Sequence, residues 1–496
     1  MPPSSTNQPV PAVVTGVQLM QGIGHAPAKG FWADAWSSVL KRPGAVAGLC
    51  WITVVAFFAI FSPVLASGHP IMLTTPEGRT TWPMLAALTA VDWYLLAVGL
   101  SVPAAYFAGP AAGRSARIRW LLGGLVVAGI SVVIASLLRG SLDSRTPPAW
   151  LLPTRNSQVG GLMVGGAVAV LVGGVFAALP FASKVVRRLT AVVFAVVVAA
   201  GAVHLGWDRP SIERFDYVRQ EAAGAKASYS VVPFSPSQRF SELSRVAPGT
   251  QLGPSQNLPA EHPAHDRSFV LGTDAFGADV LSQMLHACRL SISIGLVSTG
   301  IALLIGVTLG AIMGYFGGWV DLLLYRVVEI FMAVPVLFLL IVAAAVLPPE
   351  LRTTYTMMAI IGCFTWTGMA RFTRAEFLKL RNQDFVQSAR SVGLPLRSVL
   401  FKHMLPNGVA PVLVDTSFAI ASAITVEAVL SYLNLGPIDQ ASWGKLLASA
   451  VSSEGEFKWW LAVFPGIAIF LTVLSYNLVG EALRDAIDPK LKKARV

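Results

Sequence analysis

Charge is in short supply in this chain. Only 13% of its 496 residues are Asp, Glu, Lys or Arg, about half the share of an average soluble domain, while 54% are hydrophobic. That balance argues against a water-soluble surface and makes a lipid bilayer the expected solvent. Cysteine is rarer still: Cys50, Cys288 and Cys363 all sit in or beside apolar runs, at spacings that suit neither a disulfide framework nor a metal site. The chain has no G-x-x-x-x-G-K-[ST] phosphate loop, H-E-x-x-H motif or Ser, His and Asp arrangement, so no catalytic residue and no bound cofactor is expected. His204 and His403 have no cysteine or carboxylate at ligand spacing, and no metal site is expected either.

What the chain has in abundance is long apolar runs. A helix needs about 20 mostly apolar residues to cross about 30 Å of hydrocarbon. Ten segments qualify, near 44–66, 93–112, 120–138, 160–182, 188–206, 289–315, 320–346, 355–371, 408–432 and 459–480. The expected fold class is therefore all-α: a polytopic membrane protein of about ten transmembrane helices. Residues 1–43 form a Pro-, Ser- and Gly-rich tail without an apolar run long enough for a secretory signal. Its end, with Phe31, Trp32, Trp36, Lys41 and Arg42, suits a helix lying at the membrane surface.

The net charge of +11 reads as an orientation bias, because short cytoplasmic loops retain Lys and Arg, and no nucleic-acid partner is expected. Lys41 and Arg42, the clusters at 114–119 and 184–188, and the basic tail 491–496 then place both termini in the cytoplasm. Arg139, Arg145 and Arg155 on a predicted outer loop run against this scheme. The segment 207–270 has seven basic and seven acidic residues and reads as an exported, loosely structured polar cap. The remaining divisions are a first span at 44–66, an inserted group of about four helices within 67–206, and a core at 271–490.

One loop stands out. Residues 371–406 carry seven Lys or Arg and two acids between two apolar spans, which places them in the cytoplasm. Phe385, Ala389 and Val392 recur at helical spacing, Gly393 and Pro395 interrupt, and Val399, Phe401 and Met404 start a second helix. Two readings fit this helix, turn and helix: an amphipathic loop held by anionic lipid, or a knuckle whose small residues let a partner approach.

The spacing Gln387-Ser388-Ala389, Gly393, His403, Leu405-Pro406 resembles the EAA loop of ABC importer permeases, with glutamine at the usual glutamate and serine at the first alanine. Four groups narrow the resemblance to dipeptide and oligopeptide permeases of the DppC and OppC type. They are Leu271-Gly272-Thr273-Asp274 with Phe276 to Ser282; Gly317 to Asp321; Leu430 to Gly436 with Ser442-Trp443-Gly444; and Asn477 to Pro489. Ala278 stands where arginine is usual. The resemblance spans about 31–66 and 262–490 and leaves the helices between about 82 and 206 as an insertion.

The resemblance implies a MetI-like permease core. Its coupling helix, around Gln387, Ser388, Ala389, Arg390, Gly393, His403, Leu405 and Pro406, would dock on an ATP-binding subunit. It also implies a second homologous permease, two ATP-binding subunits that hold ATP and Mg, and an extracytoplasmic solute-binding protein. The last would meet the segment of Gly272, Thr273, Asp274, Gly277 and Asp279. Membrane lipid would surround the spans.

Acids in hydrocarbon are costly unless they face a cavity or a partner, so Glu329, Asp415 and Glu427 are candidates for a solute path. An ordinary pairing of Glu329 with Arg326 is the alternative for the first. Gly295, Gly300, Gly306, Gly310 and Gly314 along one span point to close helix packing. Pro335, Pro411 and Pro465 are candidate kinks. Two other classes remain open on sequence alone, an ion-coupled secondary transporter and a non-transporting membrane scaffold or sensor. The solute and the purpose of the inserted helices are not written in these motifs.

Overall fold

The computed structural model describes residues 31–107, 217–222, 224–253, 267–438, 440–451 and 455–487. The expected spans at 120–138, 160–182 and 188–206, the tails 1–30 and 491–496, and His204 lie outside the described residues.

Four described helices are long and apolar enough to cross a membrane: Pro43–Leu65, Val280–Phe316, Pro411–Tyr432 within the longer helix Leu405–Tyr432, and Trp459–Ile487. The span expected at 320–346, with Pro335 as a candidate kink, is two helices, Gly318–Ala333 and Val336–Val346, bent by 78°. Pro335 caps the second helix and cannot donate a backbone hydrogen bond, so the ladder breaks there. Thr354–Thr365 and Val91–Ser101 are shorter apolar helices. The surface helix expected before the first span is Phe31–Val39, whose Ala35 and Val39 pack against Ala482 and Ala486 of the terminal helix.

The long helix Val280–Phe316 is the axis of the molecule. Its 37 residues extend about 55 Å at about 1.5 Å per residue, well beyond the hydrocarbon thickness. Gly306, Gly310 and Gly314 stand one turn apart along it, against the helix Thr367–Arg381. A Cβ on Gly306 would lie 2.5 Å from Met369 Cβ, one on Gly310 2.5 Å from the Ala370 carbonyl oxygen, and one on Gly314 2.5 Å from Phe377 Cβ. This is the packing seam expected of the glycine run. Gly295 belongs to a different contact, against Ile420 and Ile424, and nothing approaches within 4 Å of a Cβ on Gly300.

The two ends of this axis differ. At the Val280 end lies a small cap, in which β1 (Met72–Thr74) pairs antiparallel with β2 (Thr80–Thr81) and β3 (Lys226–Ser228). A second ribbon joins β4 (Thr250–Gln251) to β5 (Ser268–Phe269). Composition suggested a loosely structured stretch at 207–270, yet its described parts enclose an apolar core of Val232, Phe234, Leu252 and Phe269 against Ala66. Phe234 and Phe269 stack with ring centres 4.6 Å apart, so a few aromatics order a segment whose average composition is polar. Since β1 pairs with β3, residues expected to belong to the insertion and to the outer region form one folded layer.

Candidate functional site

The opposite end of the long helix holds the candidate coupling segment. The helix Thr367–Arg381 continues through the first 11 residues of the predicted loop, because Thr373 and Phe377 are buried along the long helix. The turn therefore begins near Asn382 rather than at Arg371.

Several basic residues of this segment serve as fasteners. Arg374 holds Asp321 through two bonds, Nε to Oδ1 at 2.5 Å and Nη2 to Oδ2 at 2.7 Å, and stacks over Tyr325 at 4.5 Å. The fork of a guanidinium matches both carboxylate oxygens, a fit lysine cannot reproduce. Arg381 Nη1 donates to the Tyr315 and Phe316 carbonyls at 3.3 and 3.2 Å, which closes the C-terminus of the long helix. Arg390 lies 4.5 Å over the Tyr315 ring.

Beyond Arg381 comes the short helix Asp384–Ser391. Val386 and Ala389 anchor it, packed with Phe377, Val399 and Met404. Of the three residues at helical spacing, only Ala389 turns inward: Phe385 is exposed and Val392 is 80% exposed. Gly393, at φ +75°, then stops the helix. Its N–H donates to the Arg390 carbonyl at 2.9 Å and the Leu394 N–H to the Ala389 carbonyl at 3.1 Å, the two bonds of a Schellman closure. A left-handed residue is required there and only glycine takes that conformation without strain.

The projecting surface consists of Asp384, Phe385, Gln387, Ser388, Ser391, Val392, Gly393 and Leu394, all exposed. Asp384, Gln387, Ser388, Ser391 and Val392 line a shallow depression of about 470 Å³. His403 and Leu405 are half-buried and Pro406 is exposed at the start of the next helix. The His403 carbonyl accepts from Asn407 Nδ2 at 2.7 Å. The result is a knuckle: a rigid base, a glycine-closed turn and an outward face of mixed apolar and small polar groups.

At the cap end, Gly272 to Asp279 fold into a knot. Thr273 Oγ1 donates to the Leu243 carbonyl at 2.5 Å and accepts from Val246 N–H at 2.9 Å. Asp274 accepts from the Phe276 and Ala278 N–H groups and from Gln283 Nε2, each at 2.8 Å. Gly277, at φ +76°, passes so close to Phe240 that a Cβ would lie 1.9 Å from its carbonyl oxygen. Asp279 caps the long helix by accepting from Ser282 N–H at 2.7 Å, and burial pushes its carboxyl up to about 6. Thr273, Asp274 and Asp279 thus point inward, and the knot offers Phe276, 59% exposed with Arg239 over its ring, to the outside.

The three candidate acids have separate surroundings. Glu329 is partly exposed and pairs with Arg326 at 2.6 Å, as the spacing allowed. Asp415 is half-buried on the helix Leu405–Tyr432. Glu427 is fully enclosed, and its Oε1 accepts from the Ser431 and Ser442 hydroxyls at 2.6 and 2.8 Å. Ser442 also caps the short helix Trp443–Ala448, so Glu427 fastens that helix to the end of its own span.

Known proteins bear directly on this arrangement. Residues 306–493 match the family model described as the binding-protein-dependent transport system inner membrane component. Residues 30–77 match the N-terminal TM domain of oligopeptide transport permease C. The dipeptide transport system permease protein DppC of Alkalihalophilus pseudofirmus is 34% identical over 261 residues, 52% of this chain and 81% of the relative. The chain belongs to the DppC/OppC family of permeases. The oligopeptide transport system permease protein OppC of Bacillus subtilis is 39% identical over 232 residues, 47% of this permease and 74% of the relative. The di/tripeptide transport system permease protein DppC of Pseudomonas aeruginosa is 36% identical over 265 residues, 53% of this permease and 82% of the relative. The permease is a multi-pass inner membrane protein and a subunit of an ABC transporter.

Neither family model matches residues 78–305, which include most of the stretch expected to be an insertion. Sequence reasoning missed Asp321 and Arg374, which no local spacing pairs because 53 positions separate them. The only available signal was Asp321 within the Gly317 to Asp321 landmark.

Proposed function

We propose that the permease imports peptides or similar small solutes by alternating access, driven by two ATP-binding subunits, one of which docks on the knuckle around Gly393. The observation that carries this reading is the knuckle itself. It is anchored by buried Val386 and Ala389, closed at Gly393, and exposes Phe385, Gln387, Ser388 and Val392 at the end of the molecule opposite the cap. A fixed apolar projection transmits force only if a partner's cleft encloses it, and rigid anchoring means that movement of the partner tilts the helices beneath. ATP and Mg are held by those partners. The printed names of the relatives, dipeptide, oligopeptide and di/tripeptide permeases, support a peptide-type solute.

In this reading a second homologous permease completes the pathway, the knuckle and both termini face the cytoplasm, and an external solute-binding protein meets the cap. The knot of Gly272, Thr273, Asp274, Gly277 and Asp279 would shape the surface it touches, with Phe276 as the exposed contact. Glu329, Asp415 and Glu427 are the candidate acids for the solute path. With Gln387 in place of the usual glutamate, docking relies on shape and apolar burial rather than an ion pair at that position.

The test is Val392→Asp in the reconstituted complex. Val392 is 80% exposed, so its replacement leaves the fold intact, while a carboxylate in an apolar cleft would be unpaired. Loss of co-purifying ATP-binding subunit with an unchanged melting temperature is expected. Retention of that subunit and of solute-stimulated ATP hydrolysis would sink the proposal.

A further inference from the structure

The first span contains Pro63, which has no N–H to give to the carbonyl of Ala59 one turn earlier. That carbonyl is satisfied from another helix: Arg289 Nε donates to it at 3.1 Å. Arg289 stands nine residues into the long helix, about 14 Å from its start, and its side chain is only 14% exposed. A guanidinium so enclosed by protein needs a counter-charge. It finds one in the stretch expected to be an insertion, although residues 92 and 289 both lie outside the segments the family models match. Asp92, 8% exposed and on the helix Ala90–Phe107 of the insertion, accepts from Arg289 Nη1 at 2.5 Å.

The carboxylate is held ready for this bond. Thr89 Oγ1 accepts from Asp92 N–H at 3.0 Å, and Thr89 N–H donates to Asp92 Oδ2 at 2.5 Å, a reciprocal capping box at the helix start. Oδ2 is thereby occupied and Oδ1 is left for the arginine. Further along the same helix, a Cβ on Gly99 would lie 2.8 Å from Ile60 Cγ2, so the helix lies close against the first span one residue beyond the carbonyl that Arg289 serves.

The geometry points to the inserted helix Ala90–Phe107 as a working part of the permease body: Asp92 supplies the counter-ion that lets Arg289 brace the proline-weakened first span against the long helix, and inserted helix and first span move as one unit. This goes beyond the coupling proposal and does not depend on which partner occupies the knuckle. An appended module would leave Arg289 indifferent to its removal. A brace does not, because breaking a buried pair leaves an uncompensated charge, whereas neutralising both members relieves it.

The experiment is a double-mutant cycle on the full complex with Asp92→Asn, Arg289→Gln and both together, read as melting temperature and as solute uptake per folded complex. Each single variant is expected to melt several degrees lower and to lose uptake about tenfold or more, with the double variant no worse than the weaker single. Additive losses, or a wild-type Asp92→Asn, would overturn the counter-ion role. Should the single variants fail to assemble, Ile60→Cys with Gly99→Cys tests the docking on an otherwise intact chain. The disulfide, identified in the linked peptides by mass spectrometry, should form readily and leave uptake within about twofold. Absence of the linkage, or loss of uptake on linking that reduction reverses, would refute the shared movement. Co-purification of the ATP-binding subunit should be unchanged throughout, which separates failure here from failure at the knuckle.

Discussion

Replacing Gly310 by alanine should destabilise the permease although it adds a single methyl group. The new Cβ would lie 2.5 Å from the Ala370 carbonyl oxygen, 2.7 Å from Thr373 Cβ and 3.0 Å from the Arg374 backbone nitrogen. Two of these are backbone atoms of a neighbouring helix and cannot rotate away. Ordinary contact requires about 3.5 Å, so the helices must part by about 1 Å along a seam that Gly306 and Gly314 keep tight on either side. Overpacking of this kind costs about 1 to 3 kcal/mol. Gly300→Ala is the control. It lies on the same helix, nothing stands within 4 Å of its Cβ, and removing a mid-helix glycine there is expected to be neutral or to add up to about 1 kcal/mol of stability. The assay is thermal inactivation of the purified complex in lipid nanodiscs, with Gly310→Ala expected below wild type and Gly300→Ala at or above it. Equal effects of the two substitutions would refute the argument that close backbone approach, rather than glycine flexibility, is what the seam uses.

Three further outcomes follow from the same geometry. Arg374→Lys keeps the charge but loses one of two bonds to Asp321 and the stacking on Tyr325, and should cost about 1 to 2 kcal/mol; a melting curve indistinguishable from wild type would contradict this. Asp279 sets a pH dependence at the cap, because burial raises its carboxyl from 3.8 to about 6. Its folded form holds the proton more tightly than the unfolded form, so its contribution is present below about pH 4 and is lost as pH rises through about 6, about 3 kcal/mol at most. Asp279→Asn should flatten that slope in melting temperatures taken from pH 4.5 to 7, and an unchanged slope would assign the dependence elsewhere. Gly393→Val should distort the turn, since a β-branched residue strongly disfavours φ +75°; the expected result is weaker retention of the ATP-binding subunit, and full retention would show that the turn is dispensable.

Much of the scaffold was legible because its causes are local. The first span is a single apolar run, the glycines at 306, 310 and 314 repeat one turn apart, and Gly393 announces a helix stop in any context. The bend at Pro335 was visible as a proline, but not as a 78° break, because its angle is set by what the two halves pack against. The run 371–381 looked like loop by charge alone; its helix is fixed by Thr373 and Phe377 meeting the long helix, and only a folded chain shows that. The inward face of the knuckle was not legible for a related reason: Val386 and Phe385 are both apolar, and which one is buried depends on Val399 and Met404 beyond the turn. The fasteners Arg374 with Asp321 and Arg289 with Asp92 join residues 53 and 197 positions apart, where spacing carries no signal. The cap core went unseen because Phe234, Phe240 and Phe269 are scattered through polar sequence.

The central claim is that the knuckle around Gly393 is where an ATP-binding subunit docks, and a photo-activated crosslinking residue placed at Val392 tests it most directly. In membranes from cells expressing the whole transporter, illumination should join position 392 to the ATP-binding subunit. The same probe at Val346, 78% exposed on the bent helix pair, should not. Linkage of position 392 to lipid alone, or to no protein while transport continues, would contradict the account.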